Sequence, residues 1–96
     1  MSRPESCIIL TKRLAIEDIR NIYRLIRTVD PIAGGDIYSV FVSTSQENHI
    51  DEEFVFDIAR DTTNALAVLD KLCHGGVTAC TLYDVMQDFI EEAVLT

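Results

Sequence analysis

The chain has 96 residues, of which 48% are hydrophobic and 25% are charged. This length corresponds to one domain, and the apolar share excludes a disordered chain. The net charge of −8 is uneven, because the first thirty residues carry six basic and four acidic side chains whereas the remainder is strongly acidic. The acidic part would repel nucleic acid, so we do not expect a nucleic-acid partner.

The longest apolar run near the N-terminus is Ile8-Ile9-Leu10, which is too short for a signal peptide or a membrane span. The cysteines are Cys7, Cys73 and Cys80, and an odd number argues against a framework of disulfides. We therefore expect a cytoplasmic protein with no membrane association. We expect a single domain over residues 7–95, preceded by a disordered N-terminus over residues 1–6.

The first thirty residues fit two different structures. Apolar residues between Ile16 and Val29 recur at helical spacing, which predicts an amphipathic helix. Yet the segments 7–14, 22–29, 37–44 and 52–59 are each eight residues long, and seven residues separate each from the next. That regularity is typical of a four-stranded meander, and the residues alone leave both structures open.

Residues 37–59 predict a β-hairpin. The segment IYSVFVST is β-branched and aromatic, SQENHID is polar, and EEFVFDIA again alternates apolar with charged residues. In this alternation Phe54, Phe56 and Ile58 share one face of the strand. We therefore expect an antiparallel pair joined by a polar turn.

Two helices follow the hairpin. Asp61 or Thr62 suits the N-cap of the first, and Gly75 suits the left-handed position after its end. Thr78 or Thr81 would cap a second helix that runs to about Val94. Because only about four residues join them, the two helices are expected to form an antiparallel αα-hairpin.

The order of these elements resembles a small family of uncharacterised proteins from Gram-positive anaerobic bacteria, known only as a domain of unknown function. The resemblance is carried by IYRLIRTV, IYSVFV, EEFVFDIARD and above all GVTACTLYDVMQDFI. In the family this last segment runs Val-Thr-Pro, Leu, Asp-Val and Asp-Phe. Here Ala79 replaces the proline, and the matching residues are Val77, Thr78, Leu82, Asp84, Val85, Asp88 and Phe89.

The resemblance implies a strand around Tyr23, and it supplies no function. On this basis we predict an α+β fold, in which a four-stranded antiparallel β-meander is followed by an αα-hairpin packed on one face. The alternative is an N-terminal helix, a β-hairpin and two further helices.

In the predicted meander, one sheet face packs against the helices through alternating apolar residues that include Ile8, Phe54, Phe56 and Ile58, with Lys12 and Arg27 at its margin. The opposite face is too apolar to be fully solvated. We therefore predict a non-catalytic interaction or regulatory module that binds a protein partner or a second copy. Its candidate interface residues are Ile9, Arg13, Ile22, Arg24, Ile26, Phe41 and Val55.

Two groups of residues are candidates for a chemical site. Asp84 and Asp88 are four residues apart on the predicted last helix, a spacing that allows two carboxylates to share a hard cation. A small metal- or ligand-binding protein that uses these acidic residues is therefore the alternative function. Cys73 and His74 are adjacent and must point in different directions on a helix, which disfavours a zinc site with Cys80. We predict no enzyme activity and no cofactor.

Overall fold

The computed structural model describes the backbone of residues 6–95 and the side chains of residues 6–89. Four strands of 11 residues each form one antiparallel sheet in the order β1-β2-β3-β4. They are β1 (Ser6–Ile16), β2 (Ile19–Val29), β3 (Asp36–Gln46) and β4 (His49–Ala59). The predicted meander is confirmed, and the alternative with an N-terminal helix is wrong. Of the segment predicted to be disordered, residues 1–5 lie outside the described residues and Ser6 begins β1.

The strands are longer than the eight-residue segments in the sequence, because most of the first and third connections is also extended. Two residues join β1 to β2 and two join β3 to β4. The first residue of each pair, Glu17 or Glu47, has a φ of 55°. A positive φ at this position matches the turn to the right-handed twist of the strands that it joins. SQENHID is therefore mostly strand, with only Glu47 and Asn48 forming the turn.

The helices α1 (Thr62–His74) and α2 (Leu82–Leu95) follow the sheet and cover one of its faces. The core lies between the two helices and the covered face of the sheet. From the sheet it contains Tyr23, Leu25, Val40 and Val42, and from the helices Ala65, Leu69, Leu72, Leu82 and Met86. In the described residues, neither helix is long and apolar enough to cross a membrane.

Asp61 is the N-cap of α1, because its side chain accepts a hydrogen bond from the main-chain N–H of Asn64 at 2.8 Å. At the other end the sequence prediction was wrong by one residue. Gly75 keeps a right-handed conformation with a φ of −79°, and its N–H donates to the Lys71 carbonyl oxygen at 3.0 Å. The left-handed residue is Gly76, with a φ of 61°.

A buried polar chain fixes the start of α2 on the sheet. The Thr44 hydroxyl donates to Asn21 Oδ1 at 2.7 Å and accepts from the main-chain N–H of Ala79 at 2.9 Å. Ala79 opens the short 3-10 turn Ala79–Thr81 that leads into α2, and the N–H of Thr78 donates to Thr81 Oγ1 at 3.2 Å. Thr78 is therefore the N-cap of this short turn, and the Thr81 side chain accepts the bond from its N–H.

Both outer strands contain an irregularity in their pairing. In β1 the register shifts between Ile8 and Leu10, so that Ile9 is the extra residue of a bulge. In β4 the shift involves Asp57, which has a φ of 62° and donates its N–H to Ser39 Oγ at 3.1 Å.

A hydrogen bond also joins α2 to β4. The Tyr83 hydroxyl of α2 donates to the carbonyl oxygen of Phe54 in β4, at 3.1 Å.

Candidate interaction face

The sheet has one covered and one uncovered face. In β2 the residues Tyr23 and Leu25 are fully buried under the helices. Successive strand residues point to opposite faces, so Ile22, Arg24 and Ile26 point away from the helices. We call this second surface the open face and define it by the residues that pair in register with those three across the four strands.

Three rows of paired residues cross the open face, and each is named here after one member. The Arg13 row runs from β1 to β4 as Arg13, Ile22, Ser43 and Glu52. The Phe41 row runs in the same direction as Thr11, Arg24, Phe41 and Phe54. The Ile26 row contains Ile8, Ile26 and Ser39, and it continues towards Phe56 in β4.

Large apolar side chains are exposed at the β1 and β4 margins of the open face. Phe54 is 41% exposed, Phe56 is 55% exposed and Ile8 is 57% exposed. The Phe54 and Phe56 rings lie side by side, with their centroids 6.4 Å apart. Between these margins, Ile22, Ile26 and Phe41 are half-buried. The rows therefore form a mixed surface, in which apolar side chains alternate with arginine, glutamate and hydroxyl groups and Ser39 is buried.

The charges on this surface are segregated. Arg13, Arg20 and Arg24 lie on β1 and β2, whereas Glu52 lies on β4. The Arg24 guanidinium stacks over the Phe41 ring, 5.8 Å from its centroid, which is a cation–π arrangement. Arg13 and Arg20 line an open groove of about 490 Å³ beside Ile22 and Ser45.

Five of the seven candidate interface residues lie on the open face: Arg13, Ile22, Arg24, Ile26 and Phe41. Val55 does not. It pairs with the buried Val40 and packs against the core, so its placement on this face was wrong. Ile9 occupies the bulge of β1 and is 39% exposed, and Ile8 takes the position opposite Ile26 that alternation without a bulge assigns to Ile9.

Ile8, Phe54 and Phe56 were predicted to face the helices, and this prediction was wrong for all three. The two-residue turn determines which residues of β4 face the helices and which face away. Gln46 pairs with His49, and every later pair follows from that match up to the bulge. Phe54 then pairs with Phe41 on the open face. At the Asp57 bulge β4 contains two extra residues, since Val55 pairs with Val40 and Ala59 with Tyr38, and both Ile58 and Ala59 pack against the core, as predicted for Ile58.

The predicted margin residues of the covered face are found there. Lys12 pairs with the buried Tyr23 and forms an ion pair with Asp70 of α1. The hydrogen bond from Lys12 lowers the pKa of the Asp70 carboxyl and raises the pKa of the Lys12 amine. Arg27 pairs with Tyr38, and its Nη2 lies 3.7 Å from Cys7 Sγ.

The C-terminal motif divides between core and solvent. Val85 and Phe89 pack against the core, and the Lys71 amine lies 5.4 Å from the centroid of the Phe89 ring. Asp84 and Asp88 are both exposed. Two carboxylates supply only part of the six to eight oxygen ligands that Ca²⁺ takes.

The cysteines are all free, with Cys7 and Cys80 exposed and Cys73 half-buried. Cys80 Sγ lies 3.3 Å from the Thr78 hydroxyl. Within the described residues, no group of three or more His, Cys, Asp or Glu side chains is arranged to hold a metal ion. The metal- or ligand-binding alternative stays a prediction from the sequence.

Comparisons with protein-family models, with curated proteins and with solved structures found no match to this chain. The resemblance of the C-terminal segment to an uncharacterised bacterial family therefore also stays a prediction.

Proposed function

We propose that the protein is a non-catalytic interaction or regulatory module that buries its open face against another protein surface. The observation that carries this proposal is the exposure of Phe54, Phe56 and Ile8 on one face of the sheet. Full burial of a side chain of this size is worth roughly 1.5–3 kcal/mol. Burial of the exposed part of these side chains favours association, and it opposes the loss of translational and rotational freedom on binding.

The chemistry of the open face also supports an interface. Aromatic residues and arginine are enriched in protein–protein interfaces, and Arg24 stacked on Phe41 combines the two near the centre of the sheet. The remaining central groups are hydroxyls and aliphatic side chains. This combination suits burial against a surface better than proton transfer, which supports a role without catalysis.

We place this role in the cytoplasm. The three cysteines are free, and two of them are exposed. Free, exposed thiols persist in a reducing compartment, whereas oxidising compartments favour disulfides.

Site-specific photo-crosslinking tests the proposal. A photoreactive phenylalanine analogue at position 54 samples the open face, and the same analogue at the exposed position 67 on α1 is the control. In cells that produce the chain, we expect irradiation to give a discrete protein adduct from position 54 and none from position 67.

The substitution Phe41→Asp tests whether the adduct depends on the open face. It should abolish the adduct at position 54, because a carboxylate would be buried in the centre of an apolar contact. Ala67→Asp should leave the adduct unchanged, and circular dichroism should show that both variants keep the fold. The absence of any adduct at position 54, or its persistence in Phe41→Asp, would overturn the proposal.

A further inference from the structure

We propose that the occupant of the open face is a second copy of this chain, stacked face to face about a two-fold axis parallel to the strands. This inference rests on the proposed function, because it names the partner of the same surface. The axis lies between β2 and β3, at the middle of the sheet. Rotation about it places β1 of one copy over β4 of the other and β2 over β3, while each row stays at its own level.

The Arg13 row is self-complementary under this rotation. Arg13 and Glu52 stand at opposite ends of the row, on the two outer strands. Within one chain they are separated by three strand spacings, about 14 Å, which is too far for an ion pair. In the stacked pair, Arg13 of each copy faces Glu52 of the other. One chain therefore supplies both halves of two symmetric ion pairs.

The other two rows are complementary in the same way. In the Phe41 row, Arg24 of one copy lies opposite Phe41 of the other, while its guanidinium already stacks over Phe41 of its own chain. In the Ile26 row, the exposed Ile8 lies over the β4 strand of the second copy, where Phe56 is exposed. Apolar groups meet apolar groups, and each Arg24 meets an aromatic ring.

Arg20 lies just outside the open face and points to the same side of the sheet as Ile22. It pairs with Ser45 within its own sheet and stands one row beyond Arg13, towards the tight turns. The rotation brings it over the end of β3 in the second copy, next to the turn that contains the exposed Glu47. Each of the three arginines thus finds an acidic or aromatic counterpart.

The charges distinguish this arrangement from the other face-to-face dimer. An axis perpendicular to the strands would place each strand over its own copy. With the two faces fully overlapped, the central row would then meet itself, so that Arg24 would face Arg24. Arg13 and Glu52 would face the level of the Ile26 row and would lose their opposite charges. Like charges across an interface cost several kcal/mol, so the parallel axis is favoured.

A second copy also fits better than an unrelated acidic protein. The open face has arginines on one side and Glu52 on the other, in the same row. A uniformly acidic partner would match the arginines and repel Glu52, whereas a second copy matches both. An isologous interface requires self-complementarity of this kind.

The size of the face is sufficient for a stable dimer. Four strands of 11 residues cover roughly 700 Å² at ordinary sheet spacings. Specific interfaces bury about 800 Å² on each partner. Aligned sheets pack with their strands about 30° apart, and the long side chains of Arg13 and Glu52 can span the resulting displacement.

Light scattering on the purified chain across a concentration series is the first test. We expect a particle of twice the 10.8 kDa of one chain. Arg13→Glu and Glu52→Arg should each weaken dimerisation by about tenfold or more, because each places two like-charged pairs in the interface.

Rescue is the decisive result. The double variant Arg13→Glu with Glu52→Arg should regain the dimer, and so should an equimolar mixture of the two single variants. In that mixture every contact between unlike chains is an attractive pair. Since the two residues are too far apart to interact within one chain, rescue requires contact between copies. Lys71→Glu on α1 is the control and should leave the dissociation constant unchanged.

The outcomes separate this inference from the proposed function. A wild-type monomer at every concentration would overturn the second copy, and a position-54 adduct with a different protein would then leave the proposed function standing. A dimer that is insensitive to both charge reversals, or that is not rescued, would overturn this arrangement. A monomer without any adduct would overturn both proposals.

Discussion

The Tyr23 hydroxyl donates a hydrogen bond to the main-chain carbonyl oxygen of Val77, at 2.8 Å. Tyr23 is fully buried in the middle of β2, and Val77 lies in the connection between the two helices. This single bond ties the centre of the sheet to the point where the chain reverses. It also satisfies a carbonyl group that would otherwise be buried without a partner.

Tyr23→Phe is therefore expected to lower the free energy of unfolding by about 1–3 kcal/mol, because it leaves a buried carbonyl group unsatisfied. Urea denaturation would measure the loss. Tyr83→Phe is the matched control, since the Tyr83 hydroxyl also donates to a carbonyl oxygen but its side chain is exposed. It should cost less than about 0.5 kcal/mol. Equal losses in the two variants would contradict this role for Tyr23.

Alkaline pH should unfold the protein, in part through the same residue. Burial raises the pKa of Tyr23 from its ordinary value of 10.0 to about 12. Between these two values the unfolded chain loses the proton more readily than the folded chain, so stability falls as the pH rises from 10 towards 12. Urea midpoints measured over this range should fall less steeply in Tyr23→Phe than in the wild type.

The stability of Tyr23→Phe should still fall at alkaline pH, but by a smaller amount. The hydrogen bond to Asp70 raises the pKa of Lys12 above its ordinary value of 10.5. The stability from this pair is fully present below that value and is lost as the pH rises through the higher folded pKa. If the urea midpoint of Tyr23→Phe fell with pH as steeply as that of the wild type, Tyr23 would not contribute to alkaline unfolding.

Acid should destabilise the fold through Asp30. The main-chain N–H groups of Ile32 and Ala33, followed by the Arg60 guanidinium, hold the pKa of the Asp30 carboxyl below its ordinary value of 3.8. The resulting stability is present above that value and is lost as the pH falls through the lower folded pKa.

Asp30→Asn removes this titration while keeping an oxygen that accepts from Ile32. Its unfolding free energy should fall less steeply below about pH 4 than that of the wild type, as measured by urea denaturation at several pH values. A residual slope is expected, because Lys12 lowers the pKa of Asp70 in the same way. Identical slopes in the two proteins would exclude a contribution from Asp30.

The start of α1 offers a test of capping. Asp61→Ala removes the acceptor for the Asn64 N–H and should cost about 1 kcal/mol. Asp61→Asn keeps an acceptor oxygen and should retain most of the stability, with thermal unfolding as the measurement. If both variants lost the same amount, the charge of Asp61 rather than its hydrogen bond would be the stabilising feature.

The architecture could be predicted from the sequence because its main signals are local. The apolar segments of the strands, Asp61 before α1 and the glycines after it are all visible without tertiary information. The strand assignment of Tyr23 has a competing local signal, since residues 16–29 also satisfy helical spacing. It depended on the regular spacing of the four segments and on a family resemblance.

The residues of the open face were harder to predict, because they depend on register. A one-residue change in pairing moves every side chain of a strand to the other face. The polar segment between β3 and β4 gave no sign that only Glu47 and Asn48 form the turn. Neither bulge has a glycine to mark it, since Ile9 and Asp57 occupy these positions. For this reason the prediction placed Val55 on the open face and Phe54 on the covered face, which is the reverse of their positions in the structure.

The same two bulges determine how far association can proceed. A sheet with exposed apolar residues and two regular edges would offer strand-to-strand pairing in addition to face packing, which is the geometry of a growing fibre. Here each edge strand is interrupted, in β1 at Ile9 and in β4 at Asp57. Neither edge presents an unbroken ladder to another chain. If the open face pairs as proposed, we expect assembly to end at a closed particle rather than a growing fibre.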